Sequence, residues 1–108
     1  MPKFLKTSVL NNKECLCFID PGSAVCTITE SFAKKNKWDC TPGDLKLHGF
    51  GSPHPVVKCD LKIKCEVKID DVELPEVTFW VVPDSAQDVD VLIGRTFTED
   101  ERIAYVRV

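Results

Sequence analysis

Residues 57–69 alternate without interruption between apolar and charged side chains, and this pattern constrains the fold more than any other feature. All the odd-numbered residues of the segment are apolar: Val57, Cys59, Leu61, Ile63, Cys65, Val67 and Ile69. The even-numbered residues between them are all charged. A period of two predicts one long β-strand with one face buried and the other in water. Asp70 and Asp71 then predict a turn.

Shorter strands are predicted on either side of this segment. Residues 72–82 are expected to return beside the long strand, and Pro75 within them predicts a bulge or an edge position. Residues 3–9 and 13–19 have the pattern of a hairpin around Asn11-Asn12. A short, fully buried strand is expected over residues 89–93, because the segment is largely apolar and follows a polar loop.

One short helix is predicted over residues 28–36. Thr27 and Glu30 have the spacing of a capping box, and apolar residues follow at helical spacing. Thr98 and Glu101 form a second capping box, but only one turn could follow before the last residues return to strand. The expected architecture is therefore a mainly antiparallel β domain with one short helix.

Length and charge exclude several classes of protein. The chain has 108 residues, of which 44% are apolar and 29% charged, and this suits one globular domain over residues 1–108. The net charge of −3 gives no basic surface that would attract nucleic acid. No apolar run approaches the roughly 18 residues of a membrane span, and the N-terminus lacks the features of a secretory signal. We therefore expect an intracellular, cytoplasmic protein that binds neither nucleic acid nor membranes.

The cysteines are best interpreted as reduced thiols. They are Cys15, Cys17, Cys26, Cys40, Cys59 and Cys65. None forms a Cys-x-x-Cys pair and the two histidines lack finger spacing, so no zinc site is predicted. A disulfide framework would need an oxidising compartment, which nothing in the sequence indicates. We expect neither a metal nor another cofactor.

Asp20 is the main candidate for chemistry. It follows the apolar segment 15–19 and opens a turn made of Pro21, Gly22 and Ser23. Two carboxylates held a few ångströms apart share a proton, so that one can act as base on a water and the other as acid toward a carbonyl. The chain contains a single Asp-x-Gly-Ser, and this chemistry would therefore require a homodimer with Asp20 on its two-fold axis. By itself, an aspartate at such a position is more often only a turn residue.

The order of motifs resembles that of a known family. Residues 20–33 resemble the catalytic loop, strand and helix of the retropepsins, in particular the proteases of gypsy-type long-terminal-repeat retrotransposons. They read Asp-Pro-Gly-Ser-Ala-Val-Cys-Thr-Ile-Thr-Glu-Ser-Phe-Ala. Residues 47–52 resemble that family's flap, and residues 79–84 with 90–95 resemble its late strands. The resemblance covers residues 3–108 and implies a closed β-barrel-type protomer that dimerises and cuts polyprotein at extended peptide segments.

Carried over by position, the resemblance implies roles for three groups of residues. It implies that Asp20 is catalytic, within an active-site loop completed by Pro21, Gly22 and Ser23. It implies a flap tip formed by Gly49, Phe50, Gly51 and Ser52. It implies a cleft wall formed by Leu92, Ile93, Gly94 and Arg95.

Two positions depart from the family pattern. The family usually has Thr or Ser after the aspartate, and that residue's hydroxyl and N–H bond across the two-fold axis. Pro21 supplies neither group. Thr96 stands where related elements often carry Asp or Asn. The sequence thus leaves two functions open: an aspartic endopeptidase active as a homodimer, or a catalytically silent dimerisation or peptide-binding module derived from a retroelement. A third interpretation is a generic β domain in which Asp20 is only a turn residue.

Overall fold

The computed structural model describes residues 4–48 and 56–100, which form seven strands and two short helices. In chain order these are β1 (Phe4–Leu10), β2 (Lys13–Ile19), β3 (Cys26–Thr29), α1 (Glu30–Lys35), β4 (Thr41–His48), β5 (Val56–Ile69), β6 (Val72–Val82), β7 (Val91–Ile93) and α2 (Arg95–Thr98). A short 3-10 turn, Asp84–Ala86, lies between β6 and β7.

Six of these strands close into a barrel. The strand order is β1-β2-β7-β3-β6-β5-β4, and β1 also pairs with β5, so β4 remains outside the closed ring as an addition to β5. Most neighbours are antiparallel, but β2 with β7 and β3 with β6 run parallel. The predicted mainly β, closed-barrel fold class is confirmed, with one helix more than predicted.

The long strand and its partner form as the alternation predicts. β5 pairs antiparallel with β6 along most of its length, and its odd-numbered residues Cys59, Ile63 and Cys65 are almost completely buried. Leu61 departs from the pattern, with 41% of its surface exposed. The pairing shifts register between Cys65 and Val67, where β6 contributes an extra residue beside Pro75. The predicted bulge is therefore confirmed.

The hairpin β1–β2 is also confirmed, with Asn11 and Asn12 as its two-residue turn. Their φ angles are 49° and 67°. Asparagine adopts this left-handed conformation more readily than most residues, and a turn with two such residues matches the twist of the flanking strands.

The capping box predicted at Thr27 and Glu30 is wrong. Thr27 lies inside β3, while the N-cap of α1 is Thr29, whose hydroxyl accepts a hydrogen bond from the Phe32 N–H at 3.4 Å. The reason is tertiary, because pairing of β3 with β6 and β7 keeps the chain extended through residue 29. Glu30 instead forms an ion pair with Lys34 at 2.7 Å.

The second predicted capping box is wrong as well. Thr98 is the last residue of α2, and Gly94 occupies the N-cap position. Glu101 and the strand expected after it lie outside the described residues. Strand β4 was not predicted, because Pro42 and Gly43 interrupt its alternation.

The barrel interior holds a single apolar core to which every strand of the closed ring contributes. Its least exposed large side chains include Leu10, Ile28, Ile63, Phe79 and Ile93. All six cysteines are free, and Cys17, Cys26, Cys59 and Cys65 are buried. Within the two described ranges, no helix is long and apolar enough to cross a membrane. The cytoplasmic location stays a prediction.

Candidate active site

Asp20 lies at the end of β2, where the chain leaves the sheet. Its N–H donates to the Ile93 carbonyl at 2.9 Å, which extends the pairing of β2 with β7 by one residue. The Gly22 N–H donates to Asp20 Oδ1 at 2.9 Å, and the Ser23 N–H donates to the Asp20 carbonyl at 3.1 Å. Only 4% of Asp20 is exposed. The Gly22 N–H therefore orients the carboxylate, and the Ser23 N–H closes the turn at the end of β2.

Pro21 fits the local structure of this turn. It is the second of the four residues 20–23, a position where the fixed φ of proline is favourable. The hydrogen bonds that close the turn come from the N–H groups of Gly22 and Ser23. Within the chain, the loop therefore forms without an N–H at residue 21.

The segment after β7 packs directly against the Asp20 loop. The Arg95 N–H donates to the Ser23 carbonyl at 2.8 Å. A Cβ on Gly94 would lie 2.2 Å from the Val25 carbonyl oxygen and 2.7 Å from that of Ser23. Both contacts are to backbone, so only glycine permits the two segments to approach this closely.

A buried cysteine adds a second connection between the same two segments. The Gly94 N–H donates to Cys26 Sγ at 3.3 Å, and Thr96 Oγ1 lies 3.3 Å from the same sulfur. Burial raises the pKa of the Cys26 thiol, so the group stays neutral. Sequence reasoning noted Thr96 as a departure from the family pattern, but no local signal paired it with a cysteine 70 residues earlier.

A cleft of about 700 Å³ lies in front of Asp20. Most of its wall is apolar, and the apolar residues include Phe18, Val25, Leu45, Leu47, Val57 and Leu92. Phe18 and Leu92 are register partners in β2 and β7, so their side chains lie on the same face of the sheet. Lys46, Asp88 and Arg95 add charges to the lining. An extended, partly apolar chain is the kind of ligand that suits such a cleft.

Of the site residues predicted from sequence, the structure brings Asp20, Gly22, Ser23, Leu92 and Arg95 together on this cleft. Other members of the predicted cleft wall and loop lie elsewhere. Ile93 is fully buried in the core, Gly94 packs behind the Asp20 loop, and Pro21 is not part of the lining. The predicted flap tip, Gly49, Phe50, Gly51 and Ser52, lies outside the described residues.

The loop between β6 and β7 forms one side of the cleft and was missed by sequence reasoning. Thr27 Oγ1 donates to Gln87 Oε1 at 2.5 Å, and Gln87 Nε2 donates to the Val89 carbonyl at 2.9 Å. At the start of this loop, the Asp84 carboxylate accepts hydrogen bonds from the Ser31 N–H, at 3.0 Å, and from the Ser31 hydroxyl. These bonds from Ser31 lower the pKa of Asp84. Two side chains thus attach the loop to β3 and α1.

Comparison with solved structures identifies proteins of the same fold. The EIAV protease complexed with the inhibitor HBY-793 superposes with a TM-score of 0.64 at 13% identity, over 92% of this chain and 88% of that one. The retroviral protease-like domain of Ddi1 from Leishmania major gives a TM-score of 0.62 at 15% identity, over 94% and 79%. A retropepsin-like aspartic protease from Rickettsia conorii gives 0.66 at 20% identity, over 91% and 78%. The predicted retropepsin-like fold is confirmed.

Comparison with curated proteins finds no significant match. A family model described as aspartyl protease, however, matches residues 6–97. The matched segment includes the Asp20 loop, the cleft walls of β2 and β7, and the close approach at Gly94. The chain therefore belongs to the aspartyl protease family and has the retropepsin-like fold.

Proposed function

We propose that this chain is an aspartic endopeptidase that acts as a homodimer and cleaves extended peptide or polyprotein segments. The observation that carries the proposal is Asp20, which is 4% exposed, accepts a hydrogen bond from the Gly22 N–H, and lines a largely apolar cleft. Aspartate that serves only as a turn residue normally stays in water, because burying a carboxylate is unfavourable unless it is paired.

The chemistry needs two carboxylates, and each copy of the chain would supply one Asp20. Held close together, the two groups share a proton, because like charges at that distance cannot both ionise. The ionised carboxylate removes a proton from a water, whose oxygen attacks the peptide carbonyl carbon. The protonated carboxylate donates its proton to the carbonyl oxygen. Collapse of the tetrahedral intermediate, with a proton passed to the leaving nitrogen, separates the two products.

The cleft supports an extended peptide as substrate. Phe18 and Leu92 lie on the Asp20 side of the sheet and offer apolar surface next to the carboxylate, and Leu45 and Leu47 provide further apolar wall from β4. Apolar side chains on either side of the cleaved bond would bury against these residues, at about 25 cal/mol for each Å² removed from water. We propose that residues 49–52 close over the substrate as a flap.

We also propose that the chain derives from a gypsy-type retrotransposon protease. The support is the sequence of the Asp20 loop followed by the residues 47–52 and 90–95. Such an origin would make a polyprotein the natural class of substrate and the homodimer the active form.

Sedimentation equilibrium over a wide concentration range, with a quenched peptide library in parallel, tests the proposal. We expect a dimer that cleaves peptides, and a cleavage rate at least about a hundredfold lower in Asp20→Asn, because the substitution removes the acid–base group. Asp70→Asn is the matched control, since Asp70 lies in the exposed β5–β6 turn with a φ of 52°, which asparagine also adopts.

Two outcomes would contradict the proposal. A chain that remains monomeric at all concentrations lacks the second carboxylate, and cleavage that survives Asp20→Asn has another source. A dimer that binds peptides without cutting them would instead identify a silent peptide-binding module. Asp70→Asn should cleave at the wild-type rate, and a parallel loss in this control would indicate a general defect in folding.

A further inference from the structure

Two cysteines in β2, five and three residues before Asp20, lie in contact. Cys15 and Cys17 lie on the same face of the strand, and their Sγ atoms are 3.9 Å apart. Cys17 is fully buried, whereas Cys15 is only partly buried and can be reached from solvent. The pair therefore combines an accessible thiol with a protected one within hydrogen-bond distance.

The two thiols differ in how readily they ionise. The hydrogen bond with Cys17 lowers the pKa of Cys15, and Lys13 adds a smaller effect in the same direction, against opposing effects of burial and Asp90. The same hydrogen bond and burial raise the pKa of Cys17. Cys15 is thus the thiol that loses its proton first, and the thiolate is the form that reacts with oxidants.

A buried hydroxyl lies beside this pair. Ser8 is opposite Cys15 in the β1–β2 register and is 1% exposed. Among the described residues, its Oγ has no hydrogen-bond partner in good geometry. It is close enough to Cys17 to lower the pKa of that thiol, against the larger effects of the Cys15 hydrogen bond and burial. A hydroxyl in this position can donate to a negatively charged sulfur when one forms.

We propose that Cys15 and Cys17 are a site of reversible oxidation, at which a peroxide produces a disulfide within β2. The Cys15 thiolate attacks one oxygen of hydrogen peroxide, the O–O bond breaks, and Cys15 becomes a sulfenic acid. The other oxygen leaves as hydroxide, which takes up the proton that the Cys15 thiol released on ionising and becomes water. The Cys17 sulfur then attacks the sulfenic sulfur of Cys15 and forms the S–S bond. The S–O bond of Cys15 breaks, and its hydroxyl leaves as water with the proton from the Cys17 thiol. Overall, two thiols and one peroxide give one disulfide and two waters.

The geometry of a strand makes such a disulfide easy to reduce. Two residues apart on one face of a strand, both the Cα and the Cβ atoms are separated by roughly 6.4–6.8 Å. That is the upper end of the Cα separation that disulfides span and well beyond their Cβ separation of roughly 3.5–4.5 Å, so the bond closes only if β2 contracts between the two residues. The bond would therefore be strained, and strained disulfides are the labile ones. A reducing agent would return the pair to thiols.

Closing the bond would also disturb the strand that carries Asp20. Cys17 pairs with Lys6 on one side and Val91 on the other, so β2 cannot shorten without changing both pairings. The hydrogen bond from the Asp20 N–H to the Ile93 carbonyl continues the same ladder. Oxidation of the pair is therefore coupled to the position of the Asp20 loop.

The test uses the full chain with Cys40→Ser as background, because Cys40 is an exposed thiol that would compete for the oxidant. After limited hydrogen peroxide, intact mass and peptide mapping should show the loss of two hydrogens and a Cys15–Cys17 link that dithiothreitol removes. Cys17→Ser should instead leave a sulfenic acid on Cys15 that dimedone traps. Cys15→Ser is the matched control. Because only Cys17 of the pair remains in this variant, the rate at which the pair reacts with hydrogen peroxide should fall at least about tenfold.

Two chemical outcomes would overturn the proposal. In one, Cys15 in the unsubstituted chain reacts no faster than Cys40. In the other, Cys15 goes on to sulfinic acid, or links to a second chain, while Cys17 stays reduced.

Amide hydrogen exchange tests the coupling to the Asp20 loop. In the oxidised protein, exchange at Asp20 should accelerate at least about tenfold, while β5 and β6 keep their protection. Unchanged exchange at Asp20 in a fully oxidised sample would refute the coupling. These readouts are independent of catalysis, whereas reversible loss of peptide cleavage on oxidation rests on the proposed function. Failure of the protease proposal would therefore leave the thiol result intact.

Discussion

The substitution Gly94→Ala tests how the Asp20 loop is held in place. Gly94 lies where the segment after β7 crosses behind the Asp20 loop, and its N–H donates to Cys26 Sγ. An added Cβ would meet the Val25 carbonyl oxygen at 2.2 Å and the Ser23 carbonyl oxygen at 2.7 Å. Neither contact can be relieved by rotating a side chain, so the two backbone segments must separate.

The size of the effect follows from these distances. Carbon and carbonyl oxygen atoms normally approach no closer than about 3.3 Å, so the segments must move apart by roughly 1 Å. That movement weakens the hydrogen bond from the Arg95 N–H to the Ser23 carbonyl, now 2.8 Å long. Overpacking costs about 1–3 kcal/mol, and each lost hydrogen bond about 0.5–1.5 kcal/mol. We expect the free energy of unfolding to fall by about 2–4 kcal/mol.

Urea unfolding at one fixed protein concentration measures this loss, with Gly43→Ala as the control. A Cβ on Gly43 would meet only side-chain atoms, with Trp80 Cζ3 at 2.6 Å and Lys62 Cδ at 3.2 Å. Because the side chains of a partly buried tryptophan and a lysine can move, we expect Gly43→Ala to lower the free energy of unfolding by about 1 kcal/mol or less. If Gly94→Ala costs no more than Gly43→Ala, the reasoning about backbone contact is refuted.

Three further predictions concern Asp84, Thr29 and Pro21. Asp84→Asn should lower the melting temperature near neutral pH. Hydrogen bonds from Ser31 lower the pKa of the Asp84 carboxyl. The stability that they add is therefore present above the ordinary pKa of an aspartate and is lost as pH falls through the folded-state pKa. A difference in melting temperature between wild type and variant that persists to about pH 2 would contradict this. Thr29→Ala should lower the free energy of unfolding in urea by about 1 kcal/mol, because the N-cap hydrogen bond from the Phe32 N–H is lost. Thr29→Ser keeps the hydroxyl and should retain most of that stability. An equal loss in both variants would mean that Thr29 acts through packing. Pro21→Thr should tighten the proposed homodimer at least about tenfold in sedimentation equilibrium, because the threonine hydroxyl and N–H would bond across its two-fold axis. Unchanged or weaker association would mean that proline suits the loop it occupies.

The parts of the fold that sequence reasoning predicted correctly are those specified by local pattern. The alternation in residues 57–69 requires an extended chain with one buried face, whichever strands lie beside it. Asn11 and Asn12 accept the left-handed conformation of a tight hairpin turn. Pro75 lacks an N–H for a sheet and so predicts the bulge found in β6.

Errors occurred where a segment's neighbours outweigh its own preferences. Thr27 has the spacing of an N-cap, but pairing of β3 with both β6 and β7 keeps it in the sheet. Residues 41–48 contain Pro42 and Gly43 and alternate only briefly, and they become a strand because the edge of β5 is available to them. A strand that is held by its partners carries little of its own signal.

For the candidate site as well, local sequence predicted some features and the tertiary structure decided others. The sequence alone determined that Asp20 follows a buried strand and enters a turn of proline, glycine and serine, because adjacent residues specify both. Only the tertiary structure decided that Gly94 would pack against Ser23 and Val25, that Cys26 would bond to Thr96, and that residues 85–89 would line the cleft. The physical reason is the barrel closure and its two parallel pairings, which bring distant segments together through contacts that no local pattern encodes.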